Sequence, residues 1–228
     1  MTVRADAAAP AALPVEPDRD CPLCPRLVDF RESWRTKEPA WHNAPVQSFL
    51  PAEGPDAVRL LIAGLAPGLR GANRTGRPFT GDYAGDLLYA TLHKFGFANG
   101  RFDARPDDGL ALYGTAIVNS VRCVPPENKP TPAEINTCRQ FLAPNIRAFA
   151  NLQVIVTLGR IAHDSTLRAL GVRLKDAPFG HGAEHEVAGF SLIASYHCSR
   201  YNTNTGVLTT AMFEAVFARA AERLQTPR

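Results

Sequence analysis

Four short apolar runs, at residues 58–63, 115–118, 154–158 and 190–195, punctuate the chain. Each is β-branched or aliphatic and ends in a small or polar residue, as strands buried on both faces do. Between them apolar residues recur at helical spacing. Leu88, Leu92 and Phe95 mark one helix. A second opens with Thr131-Pro132-Ala133-Glu134, a capping box with proline at the first helical position. Its apolar face is Ile135, Cys138, Leu142 and Ile146, so Cys138 points inward. A third runs from about Thr209 through Met212, Val216, Phe217 and Leu224. This alternation predicts an α/β fold, a three-layer α/β/α sandwich around a central four-stranded, mostly parallel sheet. Ligands of such folds bind beyond the carboxyl ends of the strands. The loop after Ala63, Asn119, Gly159 and the pair Tyr196-His197 therefore become the places to look for chemistry.

Composition narrows the class. Apolar residues make up 45% and charged residues 21% of the 228, the balance of a globular protein with one good core. Residues 1–18 are rich in alanine and proline with too little apolar bulk to fold, and read as a disordered tail before a single domain over 19–228. That tail lacks the continuous apolar core of a secretory signal. No run approaches the ~20 apolar residues of a membrane helix, so the expectation is a cytoplasmic monomer with no membrane partner. The net charge of +3 does not by itself announce a polyanion. Its distribution says more, because Arg70, Arg74 and Arg77 crowd one glycine-rich loop.

Cysteines carry the strongest single signal. Cys21 and Cys24 form a close pair stiffened by Pro22 and Pro25, while Cys123 and Cys138 stand far away in sequence. A fold that gathers them would offer four thiolates, which suit either zinc or an iron–sulfur cluster. Two disulfides would need an oxidising compartment, and nothing suggests export. Cys198 stands in a separate motif and reads as a packed thiol. His42, His93, His163, His181 and His185 have no supporting context, and Gly180 and Gly182 make the His181/His185 pair a loop feature.

The first loop reads Gly64-Leu65-Ala66-Pro67-Gly68, then continues from Gly71 through Asn73-Arg74-Thr75-Gly76-Arg77-Pro78-Phe79-Thr80-Gly81-Asp82. Glycines let backbone approach a ligand closely. The loop is neither a phosphate-binding Walker loop nor a dinucleotide fingerprint, since the spacing is wrong for both. Together with Asn119 in Val118-Asn119-Ser120-Val121-Arg122-Cys123 and His197 in Ser195-Tyr196-His197, it resembles the three active-site motifs of the uracil-DNA glycosylase superfamily. The long loop ending in Asp82 resembles family 5 in particular, over roughly residues 20 to 220. The chain departs from that family at Cys198, where a proline is usual.

The resemblance implies a DNA-repair glycosylase acting in the cytoplasm of a prokaryote, at the nucleoid. It would hydrolyse the N-glycosidic bond of uracil, and of other deaminated bases such as hypoxanthine and xanthine, leaving an abasic site. It also implies a 4Fe-4S cluster on Cys21, Cys24, Cys123 and Cys138, with zinc as the alternative. Glycosidic cleavage builds positive charge on the sugar and negative charge on the departing base, so a carboxylate and a donor are both wanted. Asp82 is the candidate carboxylate, or else a helix cap. His197 would donate to a base oxygen. Asn119 offers donor and acceptor to a pyrimidine edge. Gly64, Ala66, Gly68 and Phe79 would complete the base pocket, with Phe79 stacking on an extruded base. Arg70, Arg74, Arg77, Arg200, Asn202, Thr203 and Asn204 are the expected DNA contacts. No lysine occupies these motifs, so strand nicking through a Schiff base is not expected. Two alternatives remain: a strictly uracil-specific family 4 enzyme, and a non-catalytic, metal-stapled nucleic-acid-binding module.

Overall fold

The computed structural model describes residues 13–225. In chain order the strands are β1 (Leu60–Gly64), β2 (Ala98–Asn99), β3 (Ala111–Leu112), β4 (Thr115–Asn119), β5 (Val154–Leu158), β6 (Glu184–Val187) and β7 (Phe190–Ser195). The helices are α1 (Pro25–Lys37), α2 (Ala72–Thr75), α3 (Tyr83–Lys94), α4 (Pro132–Ala148), α5 (Arg160–Ala169), α6 (Arg200–Asn204) and α7 (Thr210–Gln225).

The central sheet runs β4-β1-β5-β7-β6, with β2 and β3 forming a separate ribbon. Its first four members are parallel and correspond to the four predicted strands. The predicted count of four falls short by one, because β6 adds an antiparallel edge to β7. Its sequence, Glu184-His185-Glu186-Val187, buries only Val187, so the strand carries no apolar run to read. Side chains alternate across β1 as period-2 geometry requires. Leu60 and Ile62 pack toward Leu88 and Leu92 of α3 and Phe213 and Phe217 of α7. Leu61 packs toward Leu142 and Ile146 of α4 and Leu167 of α5. Helices thus cover both faces of the sheet, as the three-layer reading expects.

Local signals explain the helices that orient the site. Thr131 Oγ1 accepts the Glu134 amide at 3.3 Å while the Glu134 carboxylate accepts the Thr131 N–H at 2.7 Å, completing the capping box. α4 then carries Cys138, Leu142 and Ile146 inward. Pro25 opens α1 directly after Cys24, where its missing N–H costs nothing.

Residues 1–12 of the predicted tail lie outside the described residues. From Val15 onward the chain makes side-chain and backbone contacts with the domain. The Val15 N–H donates to Asn145 Oδ1 at 2.6 Å. Glu16 accepts from Ser48 Oγ at 2.5 Å and pairs with Arg122 at 3.0 Å. Arg122 is 1% exposed, and a buried guanidinium needs a counter-charge. Composition could not show that Glu16 has such a partner waiting. No helix among the described residues is long and apolar enough to cross a membrane.

Candidate active site

The loops leaving β1, β4 and β7 at their carboxyl ends converge on one cleft of about 580 Å³. Leu65, Ala66, Phe79, Asp82, Asn119 and His197 line it. Asn119 ends β4 in register with Gly64 of β1. A Cβ on Gly64 would collide with Asn119 Oδ1 and stand 2.9 Å from Phe79 Cζ. Gly64 therefore serves the cleft from behind, by leaving room for these two side chains. Gly68 and Gly71 do the same for Asp82. A Cβ on Gly68 would lie 2.7 Å from Asp82 Oδ2, and one on Gly71 would overlap it.

Three polar side chains enter the cleft with bonding capacity left over. Asn119 is 2% exposed and its Oδ1 is buried with no partner. Leaving such a group unpaired costs about 1–3 kcal/mol, a debt that a bound ligand can cancel. Asp82 Oδ1 is likewise buried and unpaired. Asp82 occupies the N-cap position of α3, yet its side chain makes no capping hydrogen bond. Burial raises its pKa, the nearby amides of Gly85 and Ala84 pull it back without reaching bonding geometry, and Asp86 adds a smaller upward push. At His197, burial pushes the pKa down to about 4, so the ring is neutral near pH 7. No hydrogen bond reaches either of its ring nitrogens among the described residues.

Phe79 stacks against the His197 ring with centroids 6.0 Å apart and planes 28° from parallel. Its backbone sits at φ +52°, in the left-handed region that a bulky residue enters at a cost of about 1–2 kcal/mol. The surroundings hold it there. The Tyr89 hydroxyl donates to the Pro78 carbonyl at 2.6 Å, and the Phe79 carbonyl occupies space that any side chain at Gly85 would fill. Strain held this firmly is common where a ligand must be gripped.

The four cysteines meet beside the turn that follows β4. Cys21, Cys24, Cys123 and Cys138 line one cavity of about 20 Å³, apart from the main cleft. The Arg122 amide donates to Cys138 Sγ at 3.3 Å. Burial pushes Cys123 up to about 12 and Cys138 up to about 11, with the neighbouring thiolates adding repulsion. A cation among them would reverse that balance. Among the described residues no three Cys, His, Asp or Glu side chains are drawn together tightly enough to hold a single metal ion.

Comparison with known proteins decides the family. A family model of the uracil DNA glycosylase superfamily matches residues 51–221. The chain belongs to that superfamily. It is 44% identical over 202 residues to a type-5 uracil-DNA glycosylase of Thermus thermophilus, covering 88% of this chain and 92% of the relative. Relatives of the same name in Mycobacterium bovis and Pyrobaculum aerophilum are 43% and 36% identical. These cover 88% and 89% of this chain, and 76% and 88% of the relatives respectively.

Within this superfamily member the expected DNA contacts separate into two groups. Arg70 and Arg200 stand exposed on the cleft rim, Arg200 lying 5.5 Å over the Tyr83 ring. Arg74 is exposed but faces a neighbouring groove, with its Nε donating to the Arg70 carbonyl at 2.8 Å. Asn204 is exposed at the end of α6. Arg77 is a correction. It is 6% exposed and grips Asp108 with two hydrogen bonds of 2.8 and 2.7 Å, so it cannot meet a phosphate. Its guanidinium also lies 5.4, 5.6 and 5.8 Å over the rings of Phe49, Tyr89 and Phe102. Asn202 and Thr203 are half-buried beside the cleft and also bond local carbonyls. Asn202 Nδ2 donates to the His197 carbonyl at 2.8 Å, and Thr203 Oγ1 bonds the carbonyls of Ser199 and Arg200.

Sequence reasoning missed several members of the site. Asn128 lines the cleft from a tight turn, Pro126–Asn128, in which Glu127 and Asn128 both have positive φ, 55° and 57°. The run Pro125-Pro126-Glu127-Asn128-Lys129-Pro130 was the available clue, since asparagine tolerates the left-handed region. Tyr83 and Ser199 also line the cleft and carried no signal. Cys198 packs behind it, its thiol 3.5 Å from the Ala84 carbonyl and its pKa pushed up to about 12 by burial.

Proposed function

We propose that this protein is a monofunctional DNA glycosylase that hydrolyses the N-glycosidic bond of uracil in DNA and releases the free base. The observation that carries this reading is the pair of buried, unpaired oxygens, Asn119 Oδ1 and Asp82 Oδ1, with the His197 ring around one cleft and Phe79 beside them. An extruded base fits that arrangement. Phe79 offers a face to stack on, and the Asn119 amide can pair with the Watson–Crick edge. The neutral His197 ring donates an N–H to a base carbonyl oxygen as negative charge develops there. The Asp82 carboxylate supports the cationic sugar or the water that attacks it. Among the described residues no lysine lines the cleft, which supports simple hydrolysis over a Schiff-base route.

Breadth follows from the wall formed by Leu65 and Ala66. An apolar wall presents no hydrogen-bonding group with which to reject a larger or differently substituted base. Hypoxanthine and xanthine are therefore proposed as further substrates.

Cys21, Cys24, Cys123 and Cys138 would hold a 4Fe-4S cluster. Their convergence on one cavity supports a single centre ligated by all four thiolates. Bound there, the cluster would tie α1 to α4 and the turn after β4; its chemistry is structural. No glycosidic step passes through it.

Incubation with duplexes bearing uracil, hypoxanthine or xanthine, followed by alkali, tests the reading. Alkali-dependent strand breaks at all three lesions are expected. Breaks at uracil alone would restrict the substrate range, and none at any lesion would leave a binding module.

A further inference from the structure

Three histidines without a part in the proposed chemistry gather beside the strand that presents His197. His163 of α5 bridges Thr157 Oγ1 at 3.2 Å and the Ala177 carbonyl at 2.8 Å. His185 of β6 reaches the Pro178 carbonyl at 3.0 Å. Together they fasten the loop before β6 to the sheet. From that fastened loop His181 reaches toward the cleft side: the Tyr196 N–H donates to His181 Nδ1 at 3.1 Å. The His181 and Tyr196 rings lie against each other, with centroids 5.1 Å apart.

The position of that bond gives it meaning. The β5–β7 ladder ends at the pair Leu158–Ser195, where the Gly159 N–H donates to the Ser195 carbonyl at 2.8 Å. The Tyr196 N–H is the first backbone donor past the ladder, and no strand carbonyl is in place to receive it. Backbone donors in such a place need a partner. His181 is that partner, one residue before His197. On the other side, Asn202 fixes the His197 carbonyl. Cys198 has no ring to restrict its own φ, so hydrogen bonds must do the holding.

The tautomer is determined by the contacts. Nδ1 accepts, so the proton of the neutral ring is on Nε2. Burial favours this neutral ring. His181 therefore couples the His197 segment to the loop before β6.

We propose that His181 is a positioning residue for base excision: by accepting the Tyr196 N–H it fixes the direction in which His197 enters the cleft. This rests on the reading of His197 as the donor to the base. The test is a double-mutant cycle on the full chain, read as single-turnover uracil excision. His181→Ala should slow excision on the order of 10-fold, the effect of a small misplacement of a reacting group, while uracil-DNA affinity stays within about two-fold. His181→Asn, whose side-chain oxygen can accept the same N–H, should recover most of the rate. In a His197→Ala background, His181→Ala should have no further effect.

Equal slowing by His181→Ala in both backgrounds, or no slowing at all, would overturn the proposal. Should the alanine variant not fold, His181→Leu keeps the bulk without the acceptor, and equal rates for the leucine and asparagine variants would overturn it too. Normal excision by His197→Ala alone would instead remove the donor role of His197, and the positioning role would fall with it. The two failures are thus told apart by the single variants.

Discussion

Burial presses Asp82 and His197 in opposite directions, and the difference is measurable. His197 is held down to about 4, so it stays neutral through the range near 6.5 where an ordinary histidine titrates. Asp82 is raised above the ordinary carboxylate value of about 3.9. Excision needs Asp82 ionised, so the rate should rise with pH through that raised value and then stay level. Single-turnover rates across the acid range check this. An acid limb near pH 6.5 that persists in Asp82→Ala would assign the titration to His197 and contradict its depressed pKa. His197→Ala should slow excision most for bases that leave poorly, because the lost donor serves the developing anion. Uniform slowing on good and poor leaving groups would reduce His197 to holding the base.

At the level of elements, Arg77 shows how local sequence can mislead. Three arginines in one glycine-rich loop looked like a phosphate patch, yet Arg77 turns inward to Asp108, whose side chain is fully buried. That partner lies 31 positions away, and nothing in the loop announces it. Burial works against the Asp108 charge, but the Arg77 bonds and the amides of Asp103 and Leu110 outweigh it and hold the carboxyl well below its usual range. Since the folded pKa is depressed, the pair's stabilisation is fully present above about pH 4 and is lost as the pH falls further. Asp108→Ala, which strands the Arg77 charge, should cost about 3 kcal/mol in urea unfolding at neutral pH. A cost below ~1 kcal/mol, the range of an exposed pair, would contradict this. The parallel strands and the Thr131 capping box were legible because their signals are local. The strand β6 and the docking of Glu16 were not, because an edge strand needs no apolar run and a salt bridge to Arg122 is a long-range contact. Asp82, Asn119, Phe79 and His197 were found through motif resemblance, whereas Asn128 depends on a turn conformation that its residue type only permits.

Across the whole molecule, the turn that follows β4 joins the cleft to the thiol cavity, Asn119 lining the one and Cys123 the other. Loss of the cluster ligands should therefore reach the site through the fold. Protein purified without added metal should be brown with a broad visible absorbance, and Cys123→Ser should lower both that absorbance and the yield of folded protein. A colourless protein with one equivalent of zinc would overturn the cluster assignment. DNA affinity should fall steeply with salt, and Arg70→Ala or Arg200→Ala should each flatten the slope while Arg77→Ala should not. At the centre of the proposed chemistry, Asp82 acts on the sugar or its water. The most direct test is single-turnover excision of uracil from duplex DNA by Asp82→Ala. The rate should fall on the order of 10²-fold or more, with binding of the uracil duplex and thermal stability nearly unchanged. Near-normal excision by that variant would contradict the account and move the carboxylate elsewhere in the cleft.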